Sequence, residues 1–127
     1  MPPIEVPPHI AEWADSSALA VIATTEDGSV IYWNDAAVAL YQWSRRQALG
    51  RNILKLTPSL QSTDEAGEVM AALREGRSWH GTIVLRKRNG TAFPAYVADV
   101  PVDRLILGIS APSRQKDAVL REASRLA

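Results

Sequence analysis

Few residues in this chain are able to do chemistry, and they are scattered. The two histidines, His9 and His80, are 71 positions apart, and there is no cysteine. Thiolate nucleophiles, disulfides, Cys-ligated metals and cysteinyl photochemical adducts are therefore excluded. A serine nucleophile needs a histidine base oriented by an acid. No such set assembles around either histidine. Glu12, Asp15 and Asp99 are isolated acids, and no group has metal-ligand spacing. The basic triplet Arg86-Lys87-Arg88 adjoins Asn89-Gly90, a turn signal, and reads as a solvated hairpin tip. The formal net charge is zero, so nothing draws the chain toward nucleic acid or an anionic membrane.

The elements that position these residues follow from pattern. The chain has 127 residues, 46% of them hydrophobic, enough for one domain with one core. Its start, with four prolines in the first eight residues, has neither a basic region nor an apolar run, so no signal peptide is expected. No stretch is apolar enough to span a membrane. A cytoplasmic protein is the expectation.

Residues 1–18 form a proline-rich arm and a short N-terminal cap helix, His9 to Ala14, with Ile10 and Trp13 on one face. Leu19 to Thr25 and Ser29 to Trp33 are β-type runs joined by Glu26-Asp27-Gly28, a first hairpin. Asn34 suits the N-cap of a helix over Asp35 to Tyr41, and Ser44 begins another helical piece ending at Gly50. Residues 51–61 lack a clean period. Ser62 and Glu65 form a capping box for a helix with Ala66, Val69, Met70 and Leu73 on one stripe, stopped at Gly76. Two β-rich runs then flank Asn89-Gly90, where a type I′ turn is expected. Asp103-Arg104 is a very short link to a last strand, Leu105 to Ala111, which must run antiparallel. Pro112 stops it, and 113–127 reads as a helix with Val119, Leu120, Ala123 and Leu126 on one side. The outcome is an α+β domain with one five-stranded sheet.

Several motifs in order resemble the PAS family between about Leu19 and Ala111. Asp27-Gly28 through Asn34 and Ala36 is similar to its D-G-x-I-x-x-x-N-x-A segment. Tyr41 to Asn52 is similar to G-Y-S-x-x-E-L-I-G-R-N. Gly76 to Gly81 is similar to G-x-x-W-x-G, and Arg86 to Thr91 to R-R-K-D-G-T. The resemblance implies a PAS domain over 19–111, an antiparallel sheet ordered 2-1-5-4-3 with helices over one face, and a helix of signalling type over 112–127. It also implies a non-enzymatic sensory and dimerisation module, cytoplasmic and bacterial, as in two-component systems.

The resemblance also frames the cofactor question. The photosensory flavin branch is similar around Gly50-Arg51-Asn52, but its cysteine is replaced here by Ile53, and its amide anchors by Leu85, Ala95 and Ser110. Unpaired ring-edge groups would cost roughly 1–3 kcal/mol each, so photoactive FMN is not expected. The haem branch needs a histidine on the long helix, and residues 63–75 have none. Trp79 is compatible with a redox FAD, which stays open beside a small apolar ligand such as a fatty acid. The pocket expected from the resemblance is lined by Ile22, Ile31, Leu40, Ile53, Leu56, Val69, Leu73, Trp79, Ile83, Leu85, Val97, Ile106 and Ser110. With so few polar anchors, filling by side chains is expected. A small α+β enzyme would need a polar cluster in its cavity, which the sequence lacks.

In that register Asp99 points inward near a strand end, hydrated or paired with an arginine. Thr82, Val84, Tyr96, Ala98, Val100, Leu105, Leu107 and Ile109 form the opposite face, which is also apolar and needs a cover. A homodimer is expected through Ile10, Trp13, Val84, Tyr96, Val100, Leu105, Leu107 and Ile109. The other cover is the N-terminal segment within one copy. A downstream effector, a kinase or similar, would lie in another segment or a partner.

Overall fold

The computed structural model describes residues 4–59 and 63–126. Helix α1 (Pro8–Ser16) leads into strands β1 (Ala20–Thr25) and β2 (Val30–Trp33). Helices α2 (Asp35–Tyr41), α3 (Arg45–Ala48), α4 (Ile53–Leu56) and α5 (Thr63–Arg74) follow. Strands β3 (Trp79–Arg86), β4 (Ala92–Val102) and β5 (Leu105–Pro112) complete the sheet. A 3-10 turn (Ser113–Gln115) then leads into helix α6 (Lys116–Ser124). The strands form one sheet ordered β2-β1-β5-β4-β3, antiparallel throughout. Among the described residues no helix is long and apolar enough to cross a membrane.

Local chemistry sets the boundaries. Asn34 caps α2 by accepting from the Ala37 amide, 2.9 Å away. Ser44 and Gln47 form a capping box for α3. Asn52 accepts from the Leu54 amide and opens α4, a turn of helix that the uneven pattern of 51–61 did not announce. The capping box expected for α5 rests on Ser62, outside the described residues.

The β3–β4 connection differs from expectation. Asn89 does not have positive φ, so the turn is not type I′. The Lys87 carbonyl accepts from the Gly90 amide, the Lys87 amide donates to the Thr91 carbonyl, and Gly90 takes φ +88°. This is a three-residue loop in which glycine supplies the left-handed bulge position.

The sheet has two apolar faces, and both are covered. The inner face joins Ala20, Ile22, Val30, Trp33, Leu85, Ala95 and Val97 to Ala37, Tyr41, Ala48 and Leu56 of the short helices. On the outer face, Tyr96, Ala98, Ile109 and Ala111 pack on Leu19 and on Val119 of α6, with Ala118, Leu120, Ala123 and Leu126 around them. Ala23 and Leu107 pack on Ile10 of α1, and Trp13 touches both groups. The Trp13 indole donates to Glu122 at 2.9 Å and ties α1 to α6.

This corrects the interface expected from the sequence. Ile10, Tyr96, Val100, Leu105, Leu107 and Ile109 are buried within the chain itself, and Trp13 is half-buried. Of the eight residues, Val84 alone is exposed. The physical premise was right, since an apolar sheet face is not left to water. The cover is the chain's own terminal helices.

Candidate functional site

Between the inner sheet face and α4 and α5 lies a cavity of about 390 Å³. The wall is predominantly apolar, and the size is that of a small-molecule site. Among the described residues, side chains do not fill it, contrary to expectation.

The expected lining residues divide. Ile22, Ile53, Val69, Leu73, Ile83, Leu85, Val97, Ile106 and Ser110 are brought together on its wall. Leu56 is buried in the core beside it, while Leu40 and Trp79 pack on that core without reaching the wall. Ile31 is on the other side of the sheet, packed with Ile10, Ala23 and Leu107. The register between β1 and β2 shifts between Ala23 and Thr24, so Ala23 pairs with Tyr32 but Thr24 with Val30. One unpaired residue turns Ile31 away from the cavity.

Trp79 has a structural role visible in its spacing from Gly81. A Cβ on residue 81 would lie 2.9 Å from the Trp79 ring. The indole lies across the glycine, which accounts for tryptophan and glycine two apart on the same face of β3.

The inner end of the cavity is formed by Tyr41 and Ser110. Their hydroxyls are 2.6 Å apart. Tyr41 is buried, tilted against Trp33 and Phe93 with ring centroids 5.9 and 6.0 Å away. Burial pushes its phenol up to about 12; the Ser110 bond opposes this and the Asp99 charge adds to it. The short hydroxyl left at position 110 is thus held by a neighbouring tyrosine.

Asp99 is the residue the sequence underrated. On the sheet it stands opposite Gly108 of β5 on one side and Trp79 of β3 on the other. Its Oδ1 is 3.1 Å from where a Cβ on residue 108 would sit, so glycine leaves room for the carboxylate. Protein surrounds Asp99, yet the side chain keeps some accessible surface because it faces the cavity. No arginine pairs with it: among the described residues it has no side-chain hydrogen bond or ion pair. Burial pushes its carboxyl up to about 7.

Toward solvent, Leu54 of α4 and Met70 of α5 reach the wall while exposed to water, marking a mouth between those helices. Glu26, Asp27 and Gly28 of the β1–β2 turn also line the cavity. The Thr25 hydroxyl bonds to the Asp27 carboxylate and holds it below the usual range. The lining contains three acids and, among the described residues, no lysine, arginine or histidine.

These residues do not fit a flavin. Leu85 cannot pair with a ring edge, the Ser110 hydroxyl is engaged by Tyr41, and among the described residues no cation lines the wall to meet a phosphate. Nor do they fit haem, since His9 and His80 are exposed and off the cavity wall. His80 instead contacts the Tyr96 hydroxyl at 2.5 Å. Among the described residues no three His, Asp or Glu side chains converge as a metal group.

A model of the PAS fold matches residues 9–103. Among solved structures, the chain is similar to a Rhodobacter sphaeroides LOV protein at 18% identity and TM-score 0.74, covering 81% of this chain and 64% of that one. It is similar to the PAS domain of a Colwellia psychrerythraea protein at 24% identity and TM-score 0.68, covering 82% and 93%. It is also similar to the LOV domain of a blue-light activated histidine kinase from Erythrobacter litoralis. There the identity is 20% and the TM-score 0.68, covering 76% and 96%. No curated protein matches.

Proposed function

The chain belongs to the PAS family, and we propose that it is a non-enzymatic sensory module that reports occupancy of its cavity through the sheet to α6. The carrying observation is the unfilled, largely apolar cavity of about 390 Å³ with a mouth between α4 and α5. A small apolar molecule fits this wall, whereas neither flavin nor haem finds its anchors there. The reading departs from catalysis because, among the described residues, no histidine or lysine lines the wall to act with Asp99 on the wall's hydroxyls.

The route outward is short. β4 presents Val97 and Asp99 to the cavity and Tyr96 and Ala98 to α6. Alternation along one strand therefore places the ligand wall and the α6 contact on adjacent residues. A shift of β4 by a ligand changes the surface on which Val119 rests, and Trp13–Glu122 carries the change to α1. Pairing of two copies across the outer face would require α1 and α6 to leave it, so it has no place in this reading. The similar Erythrobacter litoralis domain is from a histidine kinase. An effector of that kind, in another segment or a partner in the cytoplasm, would read α6.

Methyl NMR tests the cavity. Phenethyl alcohol, an apolar ring with a neutral head, should shift Ile83, Leu85, Val97 and Ile106 saturably. Absence of saturable shifts at these residues, or shifts confined to surface methyls, would count against the proposal.

A further inference from the structure

We infer that the cavity takes a small apolar molecule carrying one cationic hydrogen-bond donor, a protonated amine or amidine, with Asp99 as its counter-ion. This rests on the reading of the cavity as a ligand site and adds the ligand's charge.

Three observations converge. First, Asp99 is the half-buried ionisable group that faces the cavity without a partner among the described residues, whereas Tyr41 and Ser110 satisfy each other. A carboxylate enclosed by protein needs a cation or a donor, or else remains protonated. Second, among the described residues every ionisable side chain on the wall apart from Tyr41 is an acid: Glu26 and Asp27 near the mouth and Asp99 inside. An anionic ligand, a fatty acid included, meets like charge along the whole path, while a cation is attracted at the mouth and within. Third, the sheet makes space for this carboxylate. Gly108 stands directly across from it, and the added Cβ of any other residue would crowd Oδ1 at 3.1 Å.

The apolar remainder of the wall fixes the other half of the ligand. Ile22, Val97, Ile83 and Ile106 present hydrocarbon to the same cavity. A fully hydrated polar molecule would lose its water there without replacement, whereas an aryl or alkyl body loses nothing by entering. The ligand is therefore amphipathic: one charge for Asp99 and a hydrophobic body for the rest.

The test uses one ring with three heads: phenethylamine, phenethyl alcohol and hydrocinnamate, titrated calorimetrically at about pH 8, where the amine is protonated. The wild-type protein should bind the amine about tenfold or more tighter than the alcohol, as a charge-assisted bond requires. Hydrocinnamate should bind weakest. Asp99→Asn should bring the amine down to the affinity of the alcohol for the same variant. The ranking of the three probes on wild-type protein stands even where the variant folds poorly. Binding of all three without preference for the amine overturns the assignment of charge and leaves the ligand cavity standing. Failure of all three to bind overturns both. Retention of the amine preference in folded Asp99→Asn overturns Asp99 as the counter-ion.

Discussion

Replacing Asn34 by alanine lowers the unfolding free energy by roughly 3–5 kcal/mol, read from the urea midpoint. The side chain is buried, and all four of its hydrogen-bonding positions are used. Its Oδ1 accepts from the amides of Val21, at 3.0 Å, and Ala37, at 2.9 Å. Its Nδ2 donates to the carbonyls of Ala14, at 2.8 Å, and Leu19, at 3.0 Å. One residue thus fastens α1, β1 and α2 together. Alanine orphans four backbone groups, at about 1–3 kcal/mol for each that stays buried and dry. The discriminating variant is Asn34→Asp. Aspartate caps α2 as well as asparagine does, but it turns an oxygen toward two carbonyls. It should fall within about 1 kcal/mol of alanine. Near wild-type stability for Asn34→Asp would mean that the bonds to Ala14 and Leu19 carry little.

The second large effect is a dependence of stability on pH that runs opposite to that of an ordinary paired carboxylate. Burial pushes Asp99 from 3.8 in the unfolded chain up to about 7 in the folded one. Between these values the folded protein holds a proton that the unfolded chain has released. Stability therefore falls as pH rises through this window and is level above it. The span corresponds to about 4 kcal/mol at most. The other ionisable groups on the cavity wall are Tyr41 of α2 and Glu26 and Asp27 of the β1–β2 turn, and no base is among them within the described residues. Asp27 is held below its ordinary value and titrates outside the window. In Asp99→Asn this loss disappears, so the variant should gain on the wild type steadily from about pH 4 to 7 and keep the advantage at about pH 8. Parallel profiles for the two proteins, measured by denaturation without ligand, would show that Asp99 is not held protonated.

Much of the fold was legible because each element carries a local signal. Asn34 and Ser44 announce caps, Glu26-Asp27-Gly28 and Asn89-Gly90 announce turns, and β-type runs give five strands. The turn type at Asn89-Gly90 was not legible, since the dipeptide also serves a three-residue loop with glycine alone at positive φ. The cavity wall was partly legible, because alternation on β3, β4 and β5 puts Ile83, Leu85, Val97, Ile106 and Ser110 on one face. Ile31 was misplaced because the register shift in β1–β2 leaves no mark in composition. Asp99 was placed on the correct face, but a lone acid near a strand end looks solvated. Its enclosure depends on standing opposite Gly108, a pairing that only the assembled register reveals.

The outer face shows the same limit. Its apolar strands required a cover, but strand pattern does not say whether that cover is a second copy or the chain's own helices. Val119, Leu120, Ala123 and Leu126 were visible as one side of a helix; that this side packs on Tyr96, Ala98 and Ile109 is a tertiary fact.

The central claim is that the cavity and α6 are two faces of one responsive sheet. Amide hydrogen exchange tests it most directly, comparing ligand-free protein with protein saturated with the tightest-binding phenethyl probe. Severalfold changes in exchange should occur at Val119, Leu120 and Ala123 of α6 as well as along β4. Changes confined to β3, β4, β5 and α5, with α6 exchanging at the same rate in both states, would contradict it.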